Sequence, residues 1–175
     1  MNDEQLIKKC VELGAFRAAC VNIADITFDP ELRAACAANY CGNYGKNHGC
    51  PPAIGDAETL IAKAKSFSHA LVFQTVTPLE DSYDFEGMKE AAVRHAQVAS
   101  GVDLLIELPH LQLTAGGCTV CELCAGFDGE PCRHPDKAVS SLEAYCIHVA
   151  KLAGKCGMNY INGEDTVSYF AAFLF

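Results

Sequence analysis

Three cysteines spaced two residues apart constrain this chain more than any other sequence feature. Cys118, Cys121 and Cys124 can aim three thiolates at one point from a single tight loop, and Cys132 can close the shell. Such closely packed thiolates suit the corners of an iron–sulfur cubane, whereas structural zinc sites more often use two separated Cys-x-x-Cys pairs. We therefore predict a [4Fe–4S] cluster at these four cysteines. A zinc ion and unmetallated thiols are the alternatives.

A second cysteine group lies upstream, in a segment rich in glycine and asparagine. Cys36, Cys41 and Cys50 belong to it, and two prolines follow Cys50. Glycine and asparagine tolerate left-handed backbone, which a loop wrapped around a metal needs. We predict a second metal site here, completed by His48 or by a distant cysteine. Two other interpretations remain open: Cys50 reaches the Cys118 group, or these are unrelated reduced thiols in a surface loop.

Composition limits the class of protein. Eleven cysteines in 175 residues, after an acidic, polar start with no apolar segment of a signal peptide, indicate metal or redox chemistry in the cytoplasm, in a reducing or anaerobic setting. A formal net charge of −9 argues against a nucleic-acid partner. No apolar run is long enough for a membrane span. Half of the residues are hydrophobic, so we expect residues 1–175 to form a single domain with its own core.

The hydrophobic pattern predicts an α/β (α+β) sandwich with a mixed sheet of about five strands and cysteine-rich loops at one edge. We expect strands near 19–28, 70–77, 110–115 and 166–175. The last of these is apolar on both faces, which favours the middle of a covered sheet. Helices are predicted near 6–13, 57–66, 84–99 and 140–151; the last would begin at a capping box formed by Ser140 and Glu143. Asn162-Gly163 predicts a hairpin turn.

The remaining polar residues carry weaker signals. His134 is either a zinc ligand, a hydrogen-bond donor to cluster sulfur or a loop residue near solvent. Arg133 either places positive charge beside a cluster or pairs with Asp136. Four further cysteines fall within predicted elements and are expected to pack as small hydrophobic residues. They are Cys10, Cys20, Cys146 and Cys156. Four histidines are expected to be hydrogen-bonded structural residues for the same reason: His69, His95, His110 and His148.

Three segments together resemble a known family. They are residues 41–52, with Cys41, Cys50 and the proline pair; residues 116–124, with the three spaced cysteines; and residues 131–135, around Cys132. In these features the chain is similar to the predicted metal-binding proteins, a domain family of unknown function in bacteria and archaea. The resemblance implies metal or iron–sulfur binding at these cysteines, mainly in anaerobes, without an agreed reaction. One departure is His48, at a position that is commonly aromatic, and this keeps a ligand role for His48 open.

Three functions are compatible with these residues. The first is an iron–sulfur protein that passes single electrons to or from a redox partner protein. The second is an enzyme in which an iron that lacks one cysteine ligand binds substrate, with the upstream cysteine group as its natural place. The third is a zinc-stabilised interaction module without redox activity. No constellation of catalytic side chains can be singled out, and the oligomeric state does not follow from the sequence.

Overall fold

A five-stranded sheet forms the centre of the computed structural model, which describes all residues from Met1 to Phe175. Its strands are β1 (Arg17–Asn22), β2 (His69–Pro78), β3 (Leu111–Thr114), β4 (Ser140–Ser141) and β5 (Thr166–Leu174). The spatial order is β1-β2-β5-β3-β4. All neighbouring pairs are antiparallel except β3 and β4, which are parallel. The predicted mixed sheet is therefore confirmed.

The chain has five α-helices, four of which pack on the two faces of the sheet. They are α1 (Asp3–Glu12), α2 (Leu32–Ala37), α3 (Ala57–Lys65), α4 (Phe85–Asp103) and α5 (Val149–Lys155). Short 3-10 helices lie at Ile23–Asp25 and Ala125–Asp128. None of the five α-helices combines the length and the apolar character that a membrane span requires.

Strand β5 lies in the middle of the sheet because both of its faces are apolar. Its residues alternate between two buried clusters: Phe170, Ala172 and Leu174 face α3 and α5, whereas Ala171 and Phe173 face α1 and α4. Strand β2 alternates in the same way. Burial of apolar side chains on both faces of these two strands is the main stabilising contribution that the fold offers.

One local prediction matches the structure closely, and two others differ from it at their ends. Asp56 caps α3, its side chain accepting the backbone N–H of Thr59 at 2.8 Å. The first helix begins earlier than predicted, with Asn2 as its cap. The first strand ends earlier than predicted, because a 3-10 turn follows Asn22.

The predicted helix over residues 140–151 is wrong. Ser140 and Ser141 instead extend the sheet as β4, and the Ser141 hydroxyl accepts the N–H of Ala144 within a turn. Cys146 then takes a left-handed conformation, with φ of 61°, which a continuous helix cannot contain. Helix α5 therefore starts only at Val149, where the His148 ring nitrogen accepts the Lys151 N–H.

The predicted hairpin at Asn162-Gly163 is also wrong. The segment before these residues is a loop that follows α5, so no strand is available to pair with β5 across the turn. The Asn162 side chain instead donates to the carbonyl of Asn159 and to the hydroxyl of Ser168. This turn leads into β5 and does not form a hairpin.

Candidate metal centre

The two cysteine-rich loops pack directly against each other. The upstream loop (residues 38–56) lies between α2 and α3, and the downstream loop (residues 115–139) lies between β3 and β4. Asn47 joins them: its buried side chain donates to the carbonyl of Cys118 at 3.1 Å and accepts the N–H of Gly49 at 2.9 Å. One amide therefore fixes the turn of the upstream loop and holds the downstream loop beside it.

His48 makes two further bonds between the loops. Its backbone N–H donates to the Cys124 sulfur at 3.4 Å, and its ring Nε2 lies 2.7 Å from the carbonyl oxygen of Glu130. The His48 ring therefore contacts the backbone of the downstream loop. Backbone N–H groups directed at cysteine sulfur are a feature of thiolate-bound clusters, where they stabilise the charged sulfur.

Two glycines make the close approach of the loops possible. A side chain at Gly49 would overlap the carbonyl oxygen of Val139 and would lie 2.8 Å from the Cβ of Cys118. A side chain at Gly126 would overlap the carbonyl group of Lys46. The backbones of the two loops are therefore in contact at both places, and only glycine leaves the necessary room.

Cys50 lies at the junction of the two cysteine groups. Only 8% of its surface is exposed. Burial, together with the charges of nearby thiols of both groups, raises the pKa of its thiol to about 11. These neighbours are Cys41, Cys36, Cys118 and Cys124. The structure therefore brings the upstream cysteines and part of the downstream set into one region.

Cys36 has further neighbours that the sequence did not indicate. Burial raises its thiol pKa, the guanidinium of Arg33 opposes this rise, and the charges of Cys41 and Glu143 add to it. Cys146 lies within electrostatic reach of the same thiol and of Arg33. Cys146 was expected only to pack as a small hydrophobic residue. Its position next to Cys36 depends on the turn that replaces the predicted helix.

Cys121 and Cys132 are half-buried and lie farther along the downstream loop. Arg133 connects this part of the loop to the cysteine run, because its guanidinium donates to the carbonyl of Leu123 at 3.0 Å. It makes no ion pair with Asp136. The side chain of His134 is exposed and has no hydrogen bond. The interpretation of His134 as a loop residue near solvent fits this position.

The donor chemistry fits a metal centre, although the thiols do not form a closed shell. All eleven cysteines are free. No three His, Cys, Asp or Glu side chains are arranged as a metal ion would require. Six loop cysteines, with Cys36 at the end of α2, nevertheless supply soft sulfur donors from two loops that touch. Sulfur is the ligand type of iron–sulfur clusters and zinc. Metal binding would need the partly exposed thiols of these loops to turn toward a common point.

Three other cysteines belong to neither loop. Burial raises the thiol pKa of Cys10 and of Cys20 to about 12, and that of Cys156 to about 11. These three residues therefore pack within or beside the core, as the sequence predicted.

Comparison with known proteins bears on the same segments. No curated protein and no solved structure matches the chain. Residues 19–175 match a family described as predicted metal-binding protein (DUF2284). The match covers both cysteine-rich loops and all five strands except the first two residues of β1. The chain belongs to this family of predicted metal-binding proteins.

Proposed function

We propose that this metal-binding protein holds a [4Fe–4S] cluster and passes single electrons, as a small carrier or as an accessory to a larger redox system. The observation that supports this function is the junction of the loops, where Cys50 is buried among thiols from both groups. Cysteine thiolates are the ligands of iron–sulfur clusters. The function also accounts for cysteines in numbers far above what packing needs.

Each cysteine group has a separate role in this proposal. Cys118, Cys121, Cys124 and Cys132 would hold the cluster, and the upstream cysteines Cys36, Cys41 and Cys50 would form a second metal-binding set. A bound cluster supplies one-electron redox chemistry, while the protein sets its reduction potential through burial, charge and hydrogen bonds to sulfur.

Residues in and near the junction would set the reduction potential. The His48 N–H directed at the Cys124 sulfur would stabilise negative charge there. Arg133, tied to the Leu123 carbonyl, would place a positive charge on the same loop. Asn47 would keep the two loops in register.

The proposal includes a cytoplasmic location in a reducing or anaerobic setting, and a redox partner protein. A net charge of −9 favours a partner with a basic docking surface, because complementary charge speeds association.

Metal and acid-labile sulfide analysis of protein purified without oxygen tests this function. We expect iron and sulfide in equal amounts, about four of each per cluster, and a visible absorption that bleaches on reduction. Zinc without sulfide in colourless protein would contradict the proposal and support a zinc-stabilised interaction module.

A pair of variants assigns the cluster to the downstream loop. Cys118→Ser removes a proposed ligand and should abolish or degrade the cluster. Cys20→Ser changes a cysteine of β1 that packs against the hydrophobic core and should retain the wild-type iron and sulfide content. Equal iron and sulfide content in the two variants would reject the assignment.

A further inference from the structure

The side chain of Arg33 joins three segments of the chain. Arg33 lies in α2, and its guanidinium donates to the carbonyl of Ala144 at 2.9 Å and to the carbonyl of Gly55 at 2.6 Å. Ala144 belongs to the turn before α5, and Gly55 belongs to the upstream loop. Each of the three segments also carries a cysteine: Cys36 in α2, Cys50 in the upstream loop and Cys146 in the turn.

Cys146 is completely buried, yet it belongs to neither of the two apolar clusters of the core. Cys10 is equally buried and does belong to one of them, the cluster beneath α1 and α4. The neighbours that act on the Cys146 thiol are instead Arg33, the thiol of Cys36 and the carboxylate of Asp29. Its surroundings are therefore those of a polar site as much as of a core.

The backbone at Cys146 has a conformation that suits glycine. Its φ is 61°, in the left-handed region that residues with a Cβ rarely adopt. Two hydrogen bonds hold it there: the Cys146 carbonyl accepts the N–H of Asp29 at 2.7 Å, and the Cys146 N–H donates to the carbonyl of Glu143 at 2.8 Å. Residues held in such conformations are concentrated at functional sites.

Cys36 connects Cys146 to the other upstream cysteines. The thiols of Cys41, Cys50 and Cys146 all lie within electrostatic reach of the Cys36 thiol. Cys50 and Cys146 are buried, whereas Cys36 is half-buried on a helix without any buried residue and Cys41 is exposed. Two of the four thiols are therefore fixed, and the other two can turn toward them without unpacking the core.

Arg33 supplies the charge that a set of four thiolates needs. Four thiolates around a zinc ion carry a net charge of about −2, because the ion offsets only two of them. Arg33 makes no ion pair with a carboxylate. Its positive charge is therefore available to offset part of the negative charge of a filled site.

We propose that Cys146 is the fourth ligand of the upstream metal-binding set, together with Cys36, Cys41 and Cys50. The ligand of this site is a metal centre that prefers sulfur, either a zinc ion or a second [4Fe–4S] cluster. The inference deepens the proposed function, because it rests on the upstream cysteines binding metal, and it does not depend on the downstream cluster. It also leaves His48 in its contact with the Glu130 carbonyl rather than on the metal.

Metal and acid-labile sulfide analysis of variants purified without oxygen tests this ligand. Cys146→Gly removes the thiol and introduces the residue that tolerates its backbone conformation best. We expect it to lose the same metal as Cys36→Ser, about one ion or one cluster per chain, and the double variant to lose no more than either single variant. Wild-type metal content in Cys146→Gly or in Cys36→Ser, or a larger loss in the double variant, would overturn the proposal.

Cys10→Ala is the matched control, since it removes another completely buried thiol and should keep the wild-type metal content. Denaturant unfolding then distinguishes a ligand from a structural residue. Without metal, Cys146→Gly should unfold at about the same denaturant concentration as the wild type; with metal, it should unfold at a lower one. An equal decrease in both conditions would overturn the proposal. If Cys146→Gly does not fold, Cys146→Ser, with a side chain of similar size, replaces it.

Cys118→Ser separates this site from the downstream cluster. It should lose the downstream iron and sulfide and keep the metal that Cys146→Gly loses. Loss of zinc from Cys146→Gly, when the wild type contains no sulfide, would contradict the proposed cluster and still support Cys146 as a ligand. Loss of iron and sulfide would identify a second cluster. If Cys118→Ser and Cys146→Gly lose the same metal, and no more in combination, Cys146 belongs to the downstream site and the proposal is overturned.

Discussion

The centre of the sheet and the cysteine loops are stabilised in opposite ways. Side chains of β2 and β5, among them Leu71, Phe73 and Phe173, are completely buried between two layers of helices. The loops contain little regular structure, and most of their cysteines are only half-buried. The sheet therefore depends on apolar burial that needs no metal. The loops depend on a few specific contacts, together with any metal that the thiols bind.

The largest expected effect comes from the core. Phe173→Ala removes a fully buried ring that packs against Phe73 with centroids 6.4 Å apart. We expect the free energy of unfolding to fall by about 3–5 kcal/mol. Chemical denaturation followed by circular dichroism measures this change, and it should be similar with and without bound metal. A loss that appears only in the metal-free protein would show that the core is not independent of the loops.

The buried His95 gives the core a pH dependence. Its pKa is about 4 in the folded protein and about 6.5 in an unfolded chain, so between these values the unfolded state binds more protons. Stability should therefore fall as the pH is lowered from about 6.5 to about 4, by about 3 kcal/mol in total. Comparing denaturation across this range in the wild type and in His95→Gln isolates the contribution.

The control for this prediction is His69→Gln, which changes an exposed histidine at the start of β2. It should keep the wild-type pH dependence, whereas His95→Gln should flatten it. Parallel curves for the wild type and His95→Gln would mean that the histidine is charged, or hydrated, in the folded state.

Gly49→Ala should disturb the cysteine loops and leave the sheet intact. The new methyl group would overlap the Val139 carbonyl, so the two loops must move apart. We expect a loss of about 1–3 kcal/mol and of most bound metal, with the far-ultraviolet circular dichroism of the sheet unchanged. Metal analysis and circular dichroism on the same sample measure both effects.

Gly154→Ala is the matched control, because that glycine lies within α5 with open space around it. Alanine favours a helix by about 0.5–1 kcal/mol over glycine, so this variant should be slightly stabilised and retain its metal. Normal metal content in Gly49→Ala would show that contact between the loops is not needed for binding.

Asn47→Ala should have the smallest effect. It removes the hydrogen bonds to the Cys118 carbonyl and the Gly49 N–H, at a cost of about 1–2 kcal/mol. Metal content should fall, but less than in Gly49→Ala, because no atoms overlap. Asn43→Ala is the control in the same loop, since the Asn43 amide makes only a 3.5 Å contact with the Cys41 carbonyl. Equal metal content in the two asparagine variants would contradict the role of Asn47.

The sheet was predictable where the signal is local. The apolar character of β5 on both faces predicted its central place, and Asp56 predicted the start of α3; both predictions are confirmed. The capping box at Ser140 led to the wrong prediction of a helix, because a serine side chain can cap a turn as well as a helix. The choice between the two depended on pairing of β4 with β3, which involves residues far away in sequence.

The candidate site was predictable in its residue types and not in its arrangement. The spacing of the cysteines indicated thiolate ligands, while the interpretation that Cys50 approaches the Cys118 group remained one of several. The contact of Asn47 with Cys118 joins residues that are 71 positions apart, and no local pattern encodes it.

The sequence by itself determined which residues can offer thiols and which strand lies at the centre, because spacing and hydrophobic alternation are properties of short segments. The tertiary structure decided which loops meet, at which positions only glycine fits, and which histidine is buried. Those outcomes depend on the packing of distant backbones, and packing is set by the whole fold rather than by any one segment.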